Sequence, residues 1–204
     1  MNELTLNIPS NLENMRLPSP ELLDYYNRLD NRIILINDII DDYVIDYSMK
    51  IMEWNQEDKN FPIEDRIPIK IFINSDGGSV GAVLNLIDTI SLSKTPVYTI
   101  GMDRCYSSGG MLLMSGHKRF IYNHTTYLVH DGYTGSQGST GKMLDNLEFT
   151  KILETKVKNY ILTHSSINED LYERNYRKDW FMFADEIIKY NIADKIVTSL
   201  DEIV

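Results

Sequence analysis

Apolar residues along the chain follow two spacings. In PELLDYYNRL and DDYVIDYSMKIMEWNQ they recur every three or four positions, the period of a helix with one buried face. Pro20 sits at a first-turn position of the first helix, and Val44, Tyr47, Ile51 and Trp54 share one side of the second. In NRIILIN, IPIKIFIN and TPVYTIGM, β-branched residues run unbroken or alternate, which predicts strands; EDKNFPIED reads as a loop between them. The glycine turn SDGG delivers the second strand into a helix, SVGAVLNLIDTISLSK. The third strand passes through a turn into a short helix, SGGMLLMSG, and KRFIYN and TTYLVH are two more short strands. Glycine-rich DGYTGSQGSTG precedes a long helix, KMLDNLEFTKILETKVKNYILTH. A helix in ADEIIKYN and a strand in ADKIV follow, with Asn191 suited to a left-handed C-cap. Strands alternating with helices predict a mostly parallel sheet and an α/β fold.

Composition narrows the function classes. A chain of 204 residues with 43% apolar and 25% charged residues is long enough for one real core without disulfides or metal. A net charge of -10 with scattered cations repels phosphate backbones, so no nucleic acid partner is expected. Cys105 is the only cysteine and has no internal disulfide partner, which fits a reducing compartment. No basic, apolar-cored leader opens the chain, and no window reaches the roughly 18 apolar residues of a membrane span, so the expectation is a cytoplasmic protein with no membrane partner. Residues 1–20 are polar and proline-punctuated and read as an N-terminal arm; residues 21–204 read as one domain.

Turns that carry a strand into a helix are where this architecture places chemistry, because free N–H groups and the helix dipole converge there on negative charge. There are two such turns, at Gly77 and at Ser107-Ser108. Paired N–H groups beside a hydroxyl would make an oxyanion hole and a nucleophile, and the hydroxyl then needs a base. Of four histidines, His117 lies in a polar turn, His124 opens a strand and His164 ends the long helix; His130, at a strand end, is the best base. Asp131, Asp179 and Asp185 are candidates to orient it, with Asn175 a weaker substitute. The competing readings are a serine cap at the helix start, a Cys105–His130 thiol pair, and a metal site using His124 and His130 that lacks further ligands. GSTGKM fails as a phosphate loop, since Ser136 and Met143 stand at two required positions.

Four segments, FINSDGGSV, VYTIGMDRCYSSGGMLLMSG, YLVHDGY and RKDWFMFADEIIKYNIADKIV, resemble the ClpP family, the proteolytic subunits of ATP-dependent Clp proteases. The similarity runs from NRIILIND nearly to the C-terminus. The family's INSPGGSV matches residues 73–80 with Asp76 in place of proline. The resemblance implies a serine endopeptidase with Ser107 as nucleophile, His130 as base and Asp179 as orienting acid, and with the N–H groups of Gly77 and Ser108 as the oxyanion hole. It also implies a spiral of ββα units of the crotonase type, with a protruding handle at about residues 132–164. Stacked heptameric rings would enclose the sites, and an AAA+ unfoldase of the ClpX or ClpA type would use ATP to feed in unfolded polypeptides. No cofactor or metal is expected in this chain itself.

Some residues depart from the family pattern. Asp103 and Arg104 replace glycine and a hydrophobic residue, Tyr106 and Gly110 replace small apolar positions, and Asp76 lacks the fixed angle of proline. The alternatives to a chambered cellular peptidase are a virus-type prohead protease with the same site, a crotonase-type acyl-CoA enzyme and a noncatalytic ring subunit.

Overall fold

The structure, a computed structural model, describes residues 18–203. Most of the expected arm, residues 1–17, therefore lies outside the described residues. The chain divides into two compact units, residues 1–31 and 32–204. Among the described residues of the first is helix α1 (Pro20–Asp30). Ser19 caps it by accepting the Leu22 N–H, and proline occupies the first turn, where its missing N–H costs no hydrogen bond.

The second unit is built on one sheet. Strands β1 (Ile33–Ile36), β2 (Ile69–Ser75), β3 (Val97–Tyr106), β4 (Lys118–Ile121) and β7 (Lys195–Ile196) lie side by side in that order, all parallel. Ile69, Ile71 and Ile73 of β2 are fully buried, as expected of β-branched residues at the centre of a parallel sheet covered on its faces. Helix α2 (Val44–Asp58) packs on α3 (Val80–Leu92), and α3 packs on α4 (Ser108–Met114). The buried stripe of α2 is Val44, Ser48, Ile51, Trp54 and Asp58; Tyr47 is only half-buried, and the helix continues to Asp58, two residues into the segment expected to be a loop.

The sheet forks at β3. Its first half, Tyr98–Gly101, pairs with β4, and its second half, Arg104–Tyr106, pairs in parallel with β5 (Thr126–Val129). A short strand the sequence did not single out, β6 (Trp180–Met182), adds antiparallel to β5. The sequence also did not single out a short helix, α6 (Glu169–Asn175), capped by Asn168, which accepts the Leu171 N–H at 2.8 Å. Helix α7 (Ala184–Lys189) follows β6, and Asn191 takes the left-handed conformation expected of it, at φ 54°.

Helix α5 (Thr140–His164) is the odd element. It has 25 residues and so runs roughly 37 Å, yet only Ile161 is buried. Met143, Leu144, Leu147, Phe149 and Ile152 are exposed on its first half, preceded by an exposed irregular segment over residues 131–138. No described helix is long and apolar enough to cross a membrane.

Candidate active site

Because β2, β3 and β5 run parallel, their C-terminal ends fall together. The end of β2 carries the glycine turn, the end of β3 carries Ser107, and His130 follows the end of β5. The fork in the sheet puts Ser107 between the other two. Its N–H donates to Leu128 O at 3.0 Å, which ties the serine turn directly to the strand leading to His130.

Ser107 has φ 51° and ψ −122°, a conformation unfavourable for any residue with a Cβ. Neighbours enforce it: all seven residues of α4 are buried behind it, and the glycine turn lies against it on the β2 side, with room only for a residue lacking a Cβ. A Cβ on Gly77 would lie 2.8 Å from Ser107 Cβ and 3.1 Å from Ser108 N, and one on Gly109 would lie 3.1 Å from Ser75 O. Ser107 lines a cavity of about 1090 Å³ together with His130, Gly78, Asp131 and residues of α5 such as Leu153 and Val157. Ser108, by contrast, is buried, and its hydroxyl has no partner among the described residues.

Asp179 reaches His130 through strand pairing. In the antiparallel register Val129 faces Trp180, so the next residue of β5 and the preceding residue of β6 are neighbours. The carboxylate Oδ1 of Asp179 lies 3.6 Å from His130 Nδ1, an approach longer than a hydrogen bond. Asp131 and Asp185 are exposed, Asp185 in the first turn of α7. Asn175 turns its amide back onto Leu171 O within α6. The other histidines have separate partners or none near the cavity: His117 Nδ1 accepts the Val97 N–H at 2.9 Å and burial pushes its pKa down, His164 stacks on Tyr160, and His124 lies exposed in the turn before β5. Cys105 is fully buried and burial drives its thiol pKa upward, so it is held protonated and unreactive, against the thiol pair.

The two turns differ in which N–H groups they leave open. Ser108 begins α4 and has no carbonyl one turn back to receive its N–H. In the glycine turn, the Gly77 N–H donates to Ser75 Oγ at 3.1 Å. Gly78 is bracketed by two bonds to Ile40, Ile40 N–H to Gly77 O and Ser79 N–H to Ile40 O, both 2.8 Å. In such a parallel bridge the bracketed residue points its own N–H away from the partner strand. Gly78 also lines the cavity with Ser107, at φ 146°, and a Cβ there would lie 2.1 Å from Ile40 O. Gly78 was missed in the sequence, where the only signal was a second glycine after the first.

The departures from the family pattern also find partners. Tyr106 packs edge-on against Phe181 and its hydroxyl hydrogen-bonds Thr126 Oγ1 at 2.9 Å, so it braces β5 and β6. Gly110 makes room for the buried ring of Tyr127, whose Cε2 would lie 2.5 Å from a Cβ at that position. Asp76 pairs with Arg104.

The sequence model of the family described as Clp protease matches residues 19–200, which spans most of the chain. The mixed α/β architecture with its parallel-dominated sheet is consistent with the ClpP fold. With that match over this fold, the chain belongs to the Clp protease family and is a peptidase of the ClpP type.

Proposed function

We propose that the protein is a serine endopeptidase in which Ser107, His130 and Asp179 act as the triad. The observation that carries this reading is the β5–β6 register, which sets Asp179 against Nδ1 of His130, a residue that lines the same cavity as Ser107. With Asp179 on the Nδ1 side, the proton of a neutral imidazole is held at Nδ1 and Nε2 is left with its lone pair as the base. Ser107 Oγ attacks a peptide carbonyl while His130 Nε2 accepts its proton. The resulting imidazolium, stabilised by Asp179, gives that proton to the leaving amine, and water repeats the sequence to release the acyl group. The developing oxyanion is held by the Ser108 N–H and by the glycine turn. There the open Gly78 N–H is the better donor, in the role the sequence assigned to Gly77, because the Gly77 N–H is already taken up by Ser75. A closing movement of under about 1 Å would convert the His130–Asp179 approach into a hydrogen bond, as such contacts tighten when substrate binds.

Family membership implies self-assembly and an ATPase partner in general terms. We place the assembly surface on α5, whose exposed Leu144, Leu147 and Ile152 have no role inside one chain. Stacked heptameric rings, an unfoldase of the ClpX or ClpA type and unfolded polypeptide substrates are the form this reading takes, with ATP used by the partner. A fluorophosphonate probe tests the chemistry: it is expected to label Ser107, and Ser107→Ala is expected to lose labelling and about a millionfold in peptide cleavage. Labelling mapped to Ser108 or Cys105 would overturn the assignment.

A further inference from the structure

Two residues that look unrelated in the sequence meet beside the nucleophile. Between Ile73 and Ser75 the β2–β3 register slips: Ile73 faces Gly101, but Ser75 faces Cys105. Asn74 therefore stands opposite the extra residues Met102, Asp103 and Arg104, and the bulge turns Arg104 towards the glycine turn. Arg104 Nη1 donates to both carboxylate oxygens of Asp76, at 3.0 and 2.8 Å. Its backbone N–H donates to Asn74 Oδ1 at 3.4 Å, and Asp103 lies 3.8 Å from its Nε, the second carboxylate facing this guanidinium.

We propose that Arg104 is a positioning residue for catalysis, acting through Asp76 to hold the glycine turn against Ser107; the proposal rests on the serine peptidase reading above. Residues 77 and 78 both have positive φ, 98° and 146°, and glycine resists rotation less than any other residue. What fixes the aim of their N–H groups is the anchoring at each side. On the β1 side the anchors are Ser75 Oγ to Asp38 O at 2.6 Å and the two Ile40 bonds. On the β3 side the side-chain anchor is Asp76 to Arg104, and Asp76 lines the cavity itself. The pair is exposed, 43% and 54% at its side chains, so it adds little to folding. Its value lies in geometry, since an oxyanion donor works only where it is held before the charge develops.

The test uses the whole protein, a short fluorogenic peptide and the variants Arg104→Met, Asp76→Asn and the double variant. Each single change is expected to lower kcat about tenfold with KM and the thermal midpoint nearly unchanged, part of the effect of losing a donor outright. The double variant is expected to be no worse than either single, because both break one link. Among the described residues the Asp76 N–H donates no hydrogen bond, so proline at 76 can stiffen the turn from within, and Arg104→Met combined with Asp76→Pro is expected to recover most of the lost kcat. Full kcat in either single variant, multiplying losses in the double, or no recovery with proline would each overturn the proposal. Labelling of wild-type Ser107 separates the two levels: if it occurs and Arg104→Met is fully active, only the positioning role is wrong. If Ser107 does not label at all, the peptidase reading fails and takes this inference with it.

Discussion

Asp58 and Asp179 are both carboxylates set against a nitrogen-bearing side chain from a distant segment, and they are built in opposite ways. Asp58 is buried at the end of α2, where Arg32 Nη1 and Nη2 reach its two oxygens at 2.5 and 2.8 Å and the Thr95 hydroxyl adds a bond at 2.9 Å. Three donors thus share its two oxygens. Asp179 has a side chain 68% exposed, a single approach at 3.6 Å to His130, and no hydrogen bond among the described residues. A saturated carboxylate fixes structure, since removing one partner strands the other in a low-dielectric site. A carboxylate with unused acceptor capacity can strengthen its bond when its histidine becomes charged, which is the property catalysis needs. The difference separates stability from activity at the level of single residues.

The largest effect that would break this comparison is expected at Asp179. Asp179→Asn should lower kcat by about a thousandfold to ten-thousandfold, because an amide cannot hold the Nδ1 proton in place or stabilise the imidazolium. The thermal midpoint should stay where it is, since an exposed side chain with one long contact contributes little to folding. Peptide cleavage and thermal unfolding of the same preparation check both halves; a destabilised variant or an active one would show that Asp179 belongs with Asp58.

Asp58→Asn should do the reverse, lowering stability by about 2 kcal/mol by leaving the half-buried Arg32 guanidinium with only the longer, 3.6 Å contact to exposed Glu57, while cleavage below the unfolding transition persists. Its pH dependence sharpens the contrast. The Arg32 hydrogen bonds, with Thr95 and the nearby Arg66 charge assisting and burial opposing, hold the Asp58 carboxyl below the usual carboxylate range. A value depressed by folding means that the stabilisation is complete above the unfolded carboxylate range of about 4 and is lost as pH falls through the folded value. Denaturant unfolding from neutral to acid pH should therefore show the gap between wild type and Asp58→Asn closing as pH drops below about 4. A gap that stays constant would remove the ion pair as its cause.

How much of this was legible in the sequence depends on the range of the interaction concerned. Strands β1 to β5 and β7 and the helices α1 to α3 follow from local apolar patterning, and the Asn191 cap from one residue's tolerance of positive φ. Asp58 falls in a segment whose sequence reads as a loop, because its burial depends on Arg32, 26 positions earlier, and on Thr95. Strand β6 was not assigned, although DWFMF is rich in strand-favouring aromatics, because a three-residue strand is defined by its pairing with β5 and not by its own pattern. That pairing is also what brings Asp179 to His130, so spacing alone left Asp131 and Asp185 standing beside it. Asp76 and Arg104 were seen only as two separate departures, since nothing local announces a slip of register.

Ser107 supplies the smallest predicted effect and a third kind of site residue, one whose backbone is itself strained. A residue with a Cβ at φ 51° and ψ −122° costs on the order of 1–3 kcal/mol, and only the missing Cβ of Gly77 leaves room for it. Ser107→Ala removes the hydroxyl and keeps the Cβ, so it keeps the strain; Ser107→Gly removes both. Both variants should be equally inactive, but the glycine variant should be the more stable, by about 1 kcal/mol once the extra freedom of glycine in the unfolded chain is set against the relief. In a chain of this length that corresponds to a rise of about 2–4 °C in thermal midpoint over the alanine variant, measured with both in the same assembled state. An alanine variant equal to or more stable than the glycine variant would mean that the turn is relaxed as built, and that the nucleophile, like Asp58, is held by satisfied contacts rather than against a backbone cost.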